Sequence, residues 1–465
     1  VRQQDVLGYL DGLSQVVSSD RRAGFLSEIR AHFRGSSVPS ASIQEIEGII
    51  RGLHEEVDAT RQATLEFYTV VAQFARQHAK GRQGYDPRLR LTGSLRARPA
   101  WTAVEEAWGK LSLRLSELND GLLRLSSSLA DLAERNVLDY DNLVAEVASR
   151  IRFSQEFRAQ VGALVASPQA GRIYWLTVET QTGGISLHSA PLAVDDLLQQ
   201  FVYNNREATI LTSATMSTGG TCAFVRSRLG LSEASELVVD SPFDFARSTL
   251  ALVPSDMPEP EQPGYQQSVQ QALIGLCTAT KGRAMVLFTS HSQLRQTYHG
   301  IRSPLEERGI LVLGHGIEGG GRRQLLQTFR TNRHTVLLGA ASFWEGVDVV
   351  GDALSLLAIV RLPFSVPTDP IFAARSETFE DPFSEYSLPQ TILRFKQGFG
   401  RLIRSQNDRG VVAVLDCRVV TKSYGSAVVR SLPPCTWKQA SMRDLPALAA
   451  DWLARGCQSK ATTEE

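Results

Sequence analysis

A glutamine and two arginines near the carboxyl end of the chain have a spacing that suits anion binding. In the stretch LRFKQGFGRLIRSQNDRGVVAVLD, Gln397, Arg401 and Arg404 lie at i, i+4 and i+7. If the segment is helical, all three side chains point the same way. Guanidinium is always charged and binds phosphate oxygens bidentately. The spacing therefore indicates phosphate recognition, although a surface salt bridge of little energetic value is the alternative.

Two glycines interrupt the same segment. Gly398 and Gly400 each cost about 1 kcal/mol relative to alanine inside a helix. We therefore expect another group to come close to the backbone of this segment.

Three further polar clusters follow short apolar runs. They are TSAT (212–215), TSH (289–291) and ASFWEGVD (341–348). In open α/β sheets, ligands bind at the carboxyl ends of the strands. Small hydroxyl residues with exposed N–H groups suit phosphate oxygens, and carboxylates beside them suit a metal ion or a water. Each cluster alone could be an ordinary turn, but together they predict one ligand-binding edge.

The stretch GHGIEG (314–319) has the spacing of a dinucleotide fingerprint. Such a fingerprint needs an acidic residue about 20 residues further on, at the end of the next strand. The next apolar run, TVLLGAA, ends in small residues instead. We therefore interpret this stretch as a flexible loop.

Short apolar runs alternate with helical segments in the second half of the chain. The runs are AMVLFTS, ILVLGHG, TVLLGAA, LSLLAIV and GVVAVLD. Near-continuous apolar strands of this kind are buried on both faces of a mainly parallel sheet. The fold class predicted for this part is α/β. Two earlier runs, RIYWLTVET and GISLHSA, indicate a strand pair, and the apolar run ATILTSATM follows them.

The first ~165 residues have a helical pattern with few strand signals. Two long series of apolar residues at a spacing of three and four, 43–74 and 104–132, predict a coiled-coil-like hairpin of long antiparallel helices. A helical bundle that merely packs is the alternative. The basic connection between the helices, residues 78–98, is either a surface for DNA or a partner or a plain solvated loop. Its basic residues are Lys80, Arg82, Arg88, Arg90, Arg96 and Arg98.

Composition excludes few functions. Of 465 residues, 49 are Lys or Arg and 49 are Asp or Glu, so the formal net charge is zero. This balance neither indicates nor excludes a nucleic-acid partner. We expect no membrane span, because no run of 18 apolar residues occurs. The five cysteines are scattered without a CxxC pair, so we expect no metal or iron–sulfur site in this chain, and reduced thiols in the cytoplasm.

Four motifs together resemble the DinG/XPD-like family of superfamily-two DNA helicases. They are ILTSATM, LFTSH, GAASFWEGVDVVGDALSLLAIVRLPFSVPTDP and RFKQGFGRLIRSQNDRGVVAVLD. The resemblance covers roughly residues 172–434, and the helical first third is similar to the family's arch only in position and character. It implies two RecA-like domains that close on ATP while single-stranded DNA crosses both.

The resemblance also implies a role for each residue that matches a motif. These roles are coupling of ATP state to DNA for Ser213, Ala214 and Thr215; DNA binding for Ser290 and His291; ATP binding for Glu345, Gly346, Asp348 and Gly400; and catalysis for Gln397, Arg401 and Arg404, the arginines as arginine fingers. Phosphoryl transfer needs such positive charge on the γ-phosphate, supplied across a domain interface.

We also expect Ser342 and Trp344 to contribute to binding of single-stranded DNA, with Trp344 stacked on a base, because such grooves combine polar phosphate contacts with an aromatic side chain. A core position is the alternative for Trp344.

Two motifs of an ATP-hydrolysing motor do not occur in the sequence. There is no GxxxxGK[ST] for the phosphates and no DEAH quartet after an apolar strand for Mg²⁺. The resemblance therefore implies the C-terminal part of a helicase, with ATP and Mg²⁺ held mainly by a missing first motor domain and any iron–sulfur cluster outside this chain. We divide the chain into an all-α arch-like domain (1–165), the last strands of the first motor domain (166–235), a RecA-like second motor domain (236–440) and a C-terminal helix and tail (441–465).

The leading hypothesis is part of an ATP-dependent helicase, inactive alone, that moves on single-stranded and forked DNA, 5′ to 3′ by the resemblance, in repair or replication. A non-catalytic DNA-binding or regulatory protein that keeps a helicase C-terminal domain is the alternative. A coiled-coil scaffold is a third hypothesis, which depends on the helical hairpin alone. An upstream GxxxxGK[ST] would favour the first.

Overall fold

The protein is described by a computed structural model that covers residues 1–18, 21–78, 86–180, 182–319, 321–344 and 354–461, the last six by their backbone alone. The chain forms two compact units, which we call the helical unit and the sheet unit. The helical unit comprises Val1–Leu192 and Pro367–Arg375, and the sheet unit comprises Ala193–Val366 and Ser376–Glu465. No helix in the described ranges is long and apolar enough to cross a membrane.

The elements of the helical unit, in chain order, are α1 (Gln3–Leu13), β1 (Gln15–Ser18), β2 (Arg21–Ala23), α2 (Phe25–Glu28), a 3₁₀ turn (Ile29–Phe33), α3 (Ser40–His78), β3 (Arg88–Arg90), α4 (Gly93–Arg96), α5 (Pro99–Ala130), α6 (Tyr140–Val165), β4 (Arg172–Val178) and β5 (Ile185–Pro191).

The two long helices expected from the apolar spacing are α3 and α5, and they pack against each other. Their apolar positions, such as Leu53, Phe67 and Leu118, are fully or almost fully buried. Helix α6 packs on α5 as a third long helix. Each helix hides only one stripe of its surface, so tertiary packing rather than propensity holds these long helices.

Strands β3, β4 and β5 form a three-stranded antiparallel sheet in that order. Tyr174, Leu176 and Leu187 bury one face of this sheet in the same core as the long helices. The compact units therefore divide after Leu192, and not at residues 165 and 235 as the sequence suggested. Two strands beside a helical domain can pack on that domain as well as start the next, and the sequence does not distinguish the two arrangements.

The elements that follow, in chain order, are α7 (Asp195–Phe201), a 3₁₀ turn (Tyr203–Asn205), α8 (Ala223–Leu229), α9 (Phe245–Ser248), β6 (Thr249–Pro254), α10 (Tyr265–Ala279), β7 (Ala284–Leu287), α11 (His291–Glu306), β8 (Leu311–Gly314), α12 (Arg322–Thr331), β9 (Thr335–Gly339), α13 (Ala341–Trp344), β10 (Leu356–Ile359), α14 (Pro370–Ser376), a π-helix (Pro382–Ser387), α15 (Leu388–Phe399), β11 (Gly410–Val414), α16 (Arg418–Thr421), α17 (Gly425–Arg430), β12 (Thr436–Ala440) and α18 (Leu445–Ala461).

The sheet unit is built on a seven-stranded sheet in the order β12-β6-β11-β10-β7-β9-β8. Every neighbouring pair is parallel, so the predicted α/β class is confirmed. The five apolar runs became β7 to β11, and their residues are divided between two apolar cores, one on each face. A parallel sheet aligns the carboxyl ends of its strands, so the loops after them share one edge.

The apolar run ATILTSATM forms no strand in the described chain. Ile210 is 89% exposed, and Leu211 is also exposed. A second apolar run, 237–239, is likewise exposed and irregular, with Leu237 85% exposed. The expectation of a strand here is wrong for this structure, because an extended apolar segment forms a strand only when a neighbouring strand pairs with it.

Candidate nucleotide and nucleic-acid site

Helix α15 carries Gln397 but ends before the two arginines. Its last residue is Phe399, and the N–H of Gly400 donates to the carbonyl of Lys396 at 2.9 Å. The chain then turns, and the carboxylate of Asp408 accepts hydrogen bonds from the N–H groups of Arg404 (2.7 Å) and Ser405 (2.9 Å). The expectation of three side chains on one helical face is therefore wrong, because the helix ends between the first and the second of them.

The two arginines lie in different environments. Arg401 is buried, and its Nη2 donates to the backbone carbonyl of Trp344 at 2.6 Å. Arg404 is exposed. Arg401 thus fixes the turn after α15 to the end of the short helix α13, whereas Arg404 presents its guanidinium at the surface of the sheet unit.

The group that comes close to the glycine-containing backbone is the ring of Trp344. A Cβ at Gly398 would lie 2.8 Å from an atom of that ring, which is too close for any real side chain. Trp344 is only 5% exposed, and its Nε1–H donates to the carbonyl of Phe288 at 3.0 Å. The expected role of Trp344 as a stacking platform for bases does not fit this position, since the indole packs in the core.

Ser290 and His291 lie together at the edge after β7, where α11 begins. The hydroxyl of Ser290 accepts a hydrogen bond from the N–H of Gln293, the arrangement of an N-terminal cap. The ring of His291 lies 5.3 Å from that of His315, which follows β8. Ser342, after β9, is exposed at the same edge. The structure therefore brings three predicted DNA-binding residues and one unpredicted histidine to neighbouring strand ends.

The histidine pair lies among positive charges. Burial and the nearby Arg295 lower the pKa of His291, while burial, His291 and Arg322 lower the pKa of His315. Arg322 also lies over the ring of Phe343. This concentration of cationic groups makes the edge suitable for a phosphate, which would favour the protonated imidazoles. The sequence signal was a histidine directly after an apolar strand, which the flexible-loop interpretation of GHGIEG passed over.

Ser213, Ala214 and Thr215, for which the resemblance implies coupling, lie in a turn at the surface, and we call residues 213–215 the coupling segment. The N–H of Thr215 donates to the hydroxyl of Ser213 at 3.2 Å, and Ala214 lies between them. Two residues further on, Ser217 accepts two hydrogen bonds from Nζ of Lys396, at 2.8 Å to its carbonyl and 3.0 Å to its hydroxyl. Lys396 directly precedes Gln397 in α15, so the structure joins the segment that holds Ser213 and Thr215 to the helix that carries Gln397.

A buried carboxylate that sequence reasoning did not select organises the middle of the edge. Asp416 is fully buried and accepts two hydrogen bonds from the guanidinium of Arg418, at 2.9 and 2.7 Å, and one from the N–H of Leu362 at 2.9 Å. The carboxylate raises the pKa of Arg418, although burial opposes this effect. The pair joins the loops after β10 and β11, and an acidic residue directly after an apolar strand was the available signal.

Glu345, Gly346 and Asp348 lie outside the described residues, as do Lys80 and Arg82. Among the side chains that the structure describes, no three His, Cys, Asp or Glu residues come together as a metal site. Arg96, from the expected basic connection, is half-buried, and its Nη1 donates to the carbonyls of Leu164 and Val165. That arginine is therefore part of the packing of the helical unit.

Comparisons with known proteins match part of the sheet unit to a helicase domain. The helicase C-terminal domain family matches residues 273–435. The 3'-5' exonuclease DinG of Bacillus subtilis (strain 168) is 27% identical over 442 residues, which are 92% of this chain and 46% of that protein. The ATP-dependent DNA helicase YoaA of Escherichia coli (strain K12) is 37% identical over 282 residues, 60% of this chain and 43% of that protein. The solved structure of S. tokodaii Xpd4 aligns with a TM-score of 0.47 and 15% identity, over 89% of this chain and 74% of that chain.

The residues matched by the helicase C-terminal domain family include strands β7 to β11 and the polar clusters that follow β7 and β9. Residues 273–435 belong to the helicase C-terminal domain family, and the chain is similar to DinG and YoaA proteins of bacteria. It spans less than half the length of the two curated relatives.

Proposed function

We propose that this chain is the C-terminal portion of an ATP-dependent DNA helicase that moves along single-stranded DNA and unwinds duplexes. The observation that carries the proposal is the seven-stranded parallel sheet whose carboxyl edge bears the helicase motifs within the matched helicase C-terminal domain. In this proposal the chain supplies the second motor domain. The first motor domain, with its phosphate-binding loop and Mg²⁺ carboxylate, is encoded upstream, and the protein acts in the cytoplasm.

Two exposed apolar segments support the proposal that a further domain with its own sheet packs beside them. Ile210, Leu237 and Val239 are at least 75% exposed in irregular backbone. Extended apolar chain with unpaired N–H and C=O groups is a template for strand pairing. We infer that strands of the first motor domain pair with these two segments, which would bury their side chains and order the coupling residues Ser213 and Thr215.

The proposed chemistry is stabilisation of charge during phosphoryl transfer. ATP bound by the first motor domain would present its γ-phosphate across the interface between the motor domains. Exposed Arg404 would meet that phosphate on closure, while buried Arg401 would position the turn by holding the carbonyl of Trp344. Closure of the two motor domains on ATP would move Gln397. Lys396 lies beside Gln397 and bonds to Ser217, so this movement would be transmitted to the coupling segment.

The histidine pair predicts a pH-dependent affinity for single-stranded DNA. Both pKa values are lowered below the usual ~6.5, so both imidazoles are mainly neutral near pH 7. A bound phosphate raises these pKa values, so binding takes up protons and the affinity should rise as the pH falls from about 7.5 to about 5.5. Fluorescence anisotropy of a labelled oligonucleotide, in buffers of constant ionic strength, measures this dependence.

The double variant His291→Asn and His315→Asn should bind with a nearly flat pH dependence. The matched control is His299→Asn, an exposed histidine further along α11. If the double variant keeps the full pH dependence, the histidine pair does not contact the phosphate.

Strand displacement tests the proposed function. The protein to use is a longer one that carries the proposed first motor domain upstream of this chain, which we call the upstream-extended protein. We expect ATP-dependent release of a labelled strand from a forked duplex, with a 5′ single-stranded arm required. Displacement without ATP, or none with folded extended protein that hydrolyses ATP, would contradict a helicase. A non-catalytic DNA-binding protein would bind the fork and release nothing.

A further inference from the structure

Polar contacts hold the hairpin of β1 and β2 on the long helix α3. Ser14, directly before β1, is fully buried, and its hydroxyl lies 2.6 Å from Nδ1 of His54 on α3. Arg22 on β2 donates to the carboxylate of Asp58 on α3 at 2.6 Å. His54 and Asp58 are four residues apart, so they lie on one face of the helix. We call Ser14, Arg22, His54 and Asp58 the hairpin latch.

The next position on the same face of α3 holds the backbone in front of the hairpin. Arg61, seven residues after His54, pairs with Asp11 on α1, and its Nη2 donates to the carbonyl of Ser14 at 3.0 Å. This pair fixes the end of α1 independently of the Ser14 side chain. The hydroxyl of Ser14 therefore belongs to the hairpin latch alone.

That hydroxyl determines which protonation state of His54 fits the docked hairpin. Its oxygen accepts a hydrogen bond from Nη1 of Arg22 at 3.2 Å, and its other hydrogen-bond partner among the described residues is Nδ1 of His54. A buried hydroxyl is costly unless its proton meets an acceptor, and a guanidinium has no acceptor. Nδ1 therefore accepts the proton of Ser14, and the imidazole is neutral while the hairpin is docked.

The surroundings of the ring oppose its protonation. Burial of the imidazole, followed by the charge of Arg22, lowers the pKa of His54, and Asp58 offsets only part of this effect. A proton on Nδ1 would remove the acceptor of the buried Ser14 hydroxyl and place a second positive charge beside Arg22. The charged ring would also compete with Arg22 for the carboxylate of Asp58. All three changes weaken the hairpin latch.

We propose that the hairpin latch is a proton-controlled switch, in which neutral His54 holds the β1–β2 hairpin on α3 and protonated His54 releases it. Histidine is the side chain whose charge changes closest to neutral pH. In a released hairpin the ring has its ordinary pKa of about 6.5. Because docking lowers this pKa, the released state takes up the proton first, so docking is favoured above about pH 7 and is lost progressively as the pH falls. The inference concerns the helical unit and does not depend on the proposed helicase function.

Amide hydrogen exchange of this chain at pH 7.5 and 5.5, corrected for the intrinsic pH dependence of exchange, tests the switch. The hairpin should exchange faster at pH 5.5, by up to about tenfold for each unit by which docking lowers the pKa of His54. His54→Asn should stay docked at both pH values, because its amide oxygen can replace Nδ1 as the acceptor and does not titrate.

The matched control is His32→Asn in the same unit. Nδ1 of His32 lies 2.7 Å from the carbonyl of Leu138, so it must donate, and protonation of the ring leaves that bond in place. The control should therefore keep the full pH dependence of the hairpin.

Equal corrected exchange of the hairpin at the two pH values in the unaltered chain would overturn the inference. A full pH dependence in folded His54→Asn, or its loss in folded His32→Asn, would do the same. If circular dichroism shows that His54→Asn does not fold, Ser14→Ala decides. We expect Ser14→Ala to exchange rapidly in the hairpin even at pH 7.5, and protection equal to that of the unaltered chain would contradict the proposal.

Discussion

Replacing Arg404 with alanine in the upstream-extended protein should lower kcat for ATP hydrolysis about 10³-fold while changing the dissociation constant for ATP much less. Arg404 is exposed beyond the end of α15, where it can meet a phosphate brought by another domain. A contact made only on closure stabilises the transition state more than bound ATP. Single-turnover ATP hydrolysis and nucleotide binding, measured on the same protein, separate the two quantities.

Two companion variants sharpen this prediction. Arg404→Lys should recover little activity, because a point charge cannot make the bidentate contact. The matched control is Arg394→Ala, an exposed arginine on α15 that donates to the hydroxyl of Ser365. Normal kcat in folded Arg404→Ala would contradict the finger assignment. Arg401→Ala is not diagnostic, since loss of its bond to Trp344 would disturb the turn as well.

Trp344→Ala should lower the free energy of unfolding by about 3–5 kcal/mol, the usual cost of removing a large buried aromatic side chain. The ring fills the space beside Gly398, and its Nε1–H bonds to the carbonyl of Phe288. Truncation leaves a cavity and an unpaired carbonyl. Urea unfolding followed by circular dichroism measures the loss in the transition of the sheet unit.

The matched control for Trp344 is Phe201→Ala, which removes an aromatic ring that is 65% exposed in the same unit. We expect the control to change stability by less than about 0.5 kcal/mol. The contrary result is a Trp344→Ala protein that is as stable as the control but binds oligonucleotide more weakly. That result would show that Trp344 contacts DNA, as the sequence suggested, and is not a core residue.

Strands β7 to β11 were predictable because a parallel sheet buries both faces of its strands. Runs such as AMVL and GVVAV carry no polar residue, and each became a fully buried strand. Strand β12 (TWKQA) was not predicted, because an edge strand with exposed Lys438 and Gln439 has no such signature.

The opening spacing of Gln397, Arg401 and Arg404 shows what periodicity cannot determine. A helical repeat continues formally past any helix end, and the end at Phe399 depends on a glycine and on the turn held by Asp408. The close approach expected at the glycines does exist. Its partner is the ring of Trp344, and that identity depends on packing between segments distant in sequence.

The candidate site was predictable as an edge of the sheet but not as individual contacts. The polar clusters after β7 and β9 do lie at the carboxyl edge of the sheet, because each follows an apolar strand. His315, Asp416 and Lys396 were missed, since their importance comes from partners on other loops: His291, Leu362 and Ser217. Contacts of this kind depend on strand order, which the sequence alone does not give.

DNA-stimulated ATP hydrolysis by this chain alone, compared with the upstream-extended protein, tests the central claim most directly. Without a phosphate-binding loop and its lysine, no group in this sequence can hold the β- and γ-phosphates productively. We expect no turnover by the chain alone, with or without single-stranded DNA, and DNA-stimulated turnover by the extended protein. Turnover by the pure chain, abolished by Arg404→Ala, would contradict the claim that ATP is held by another motor domain.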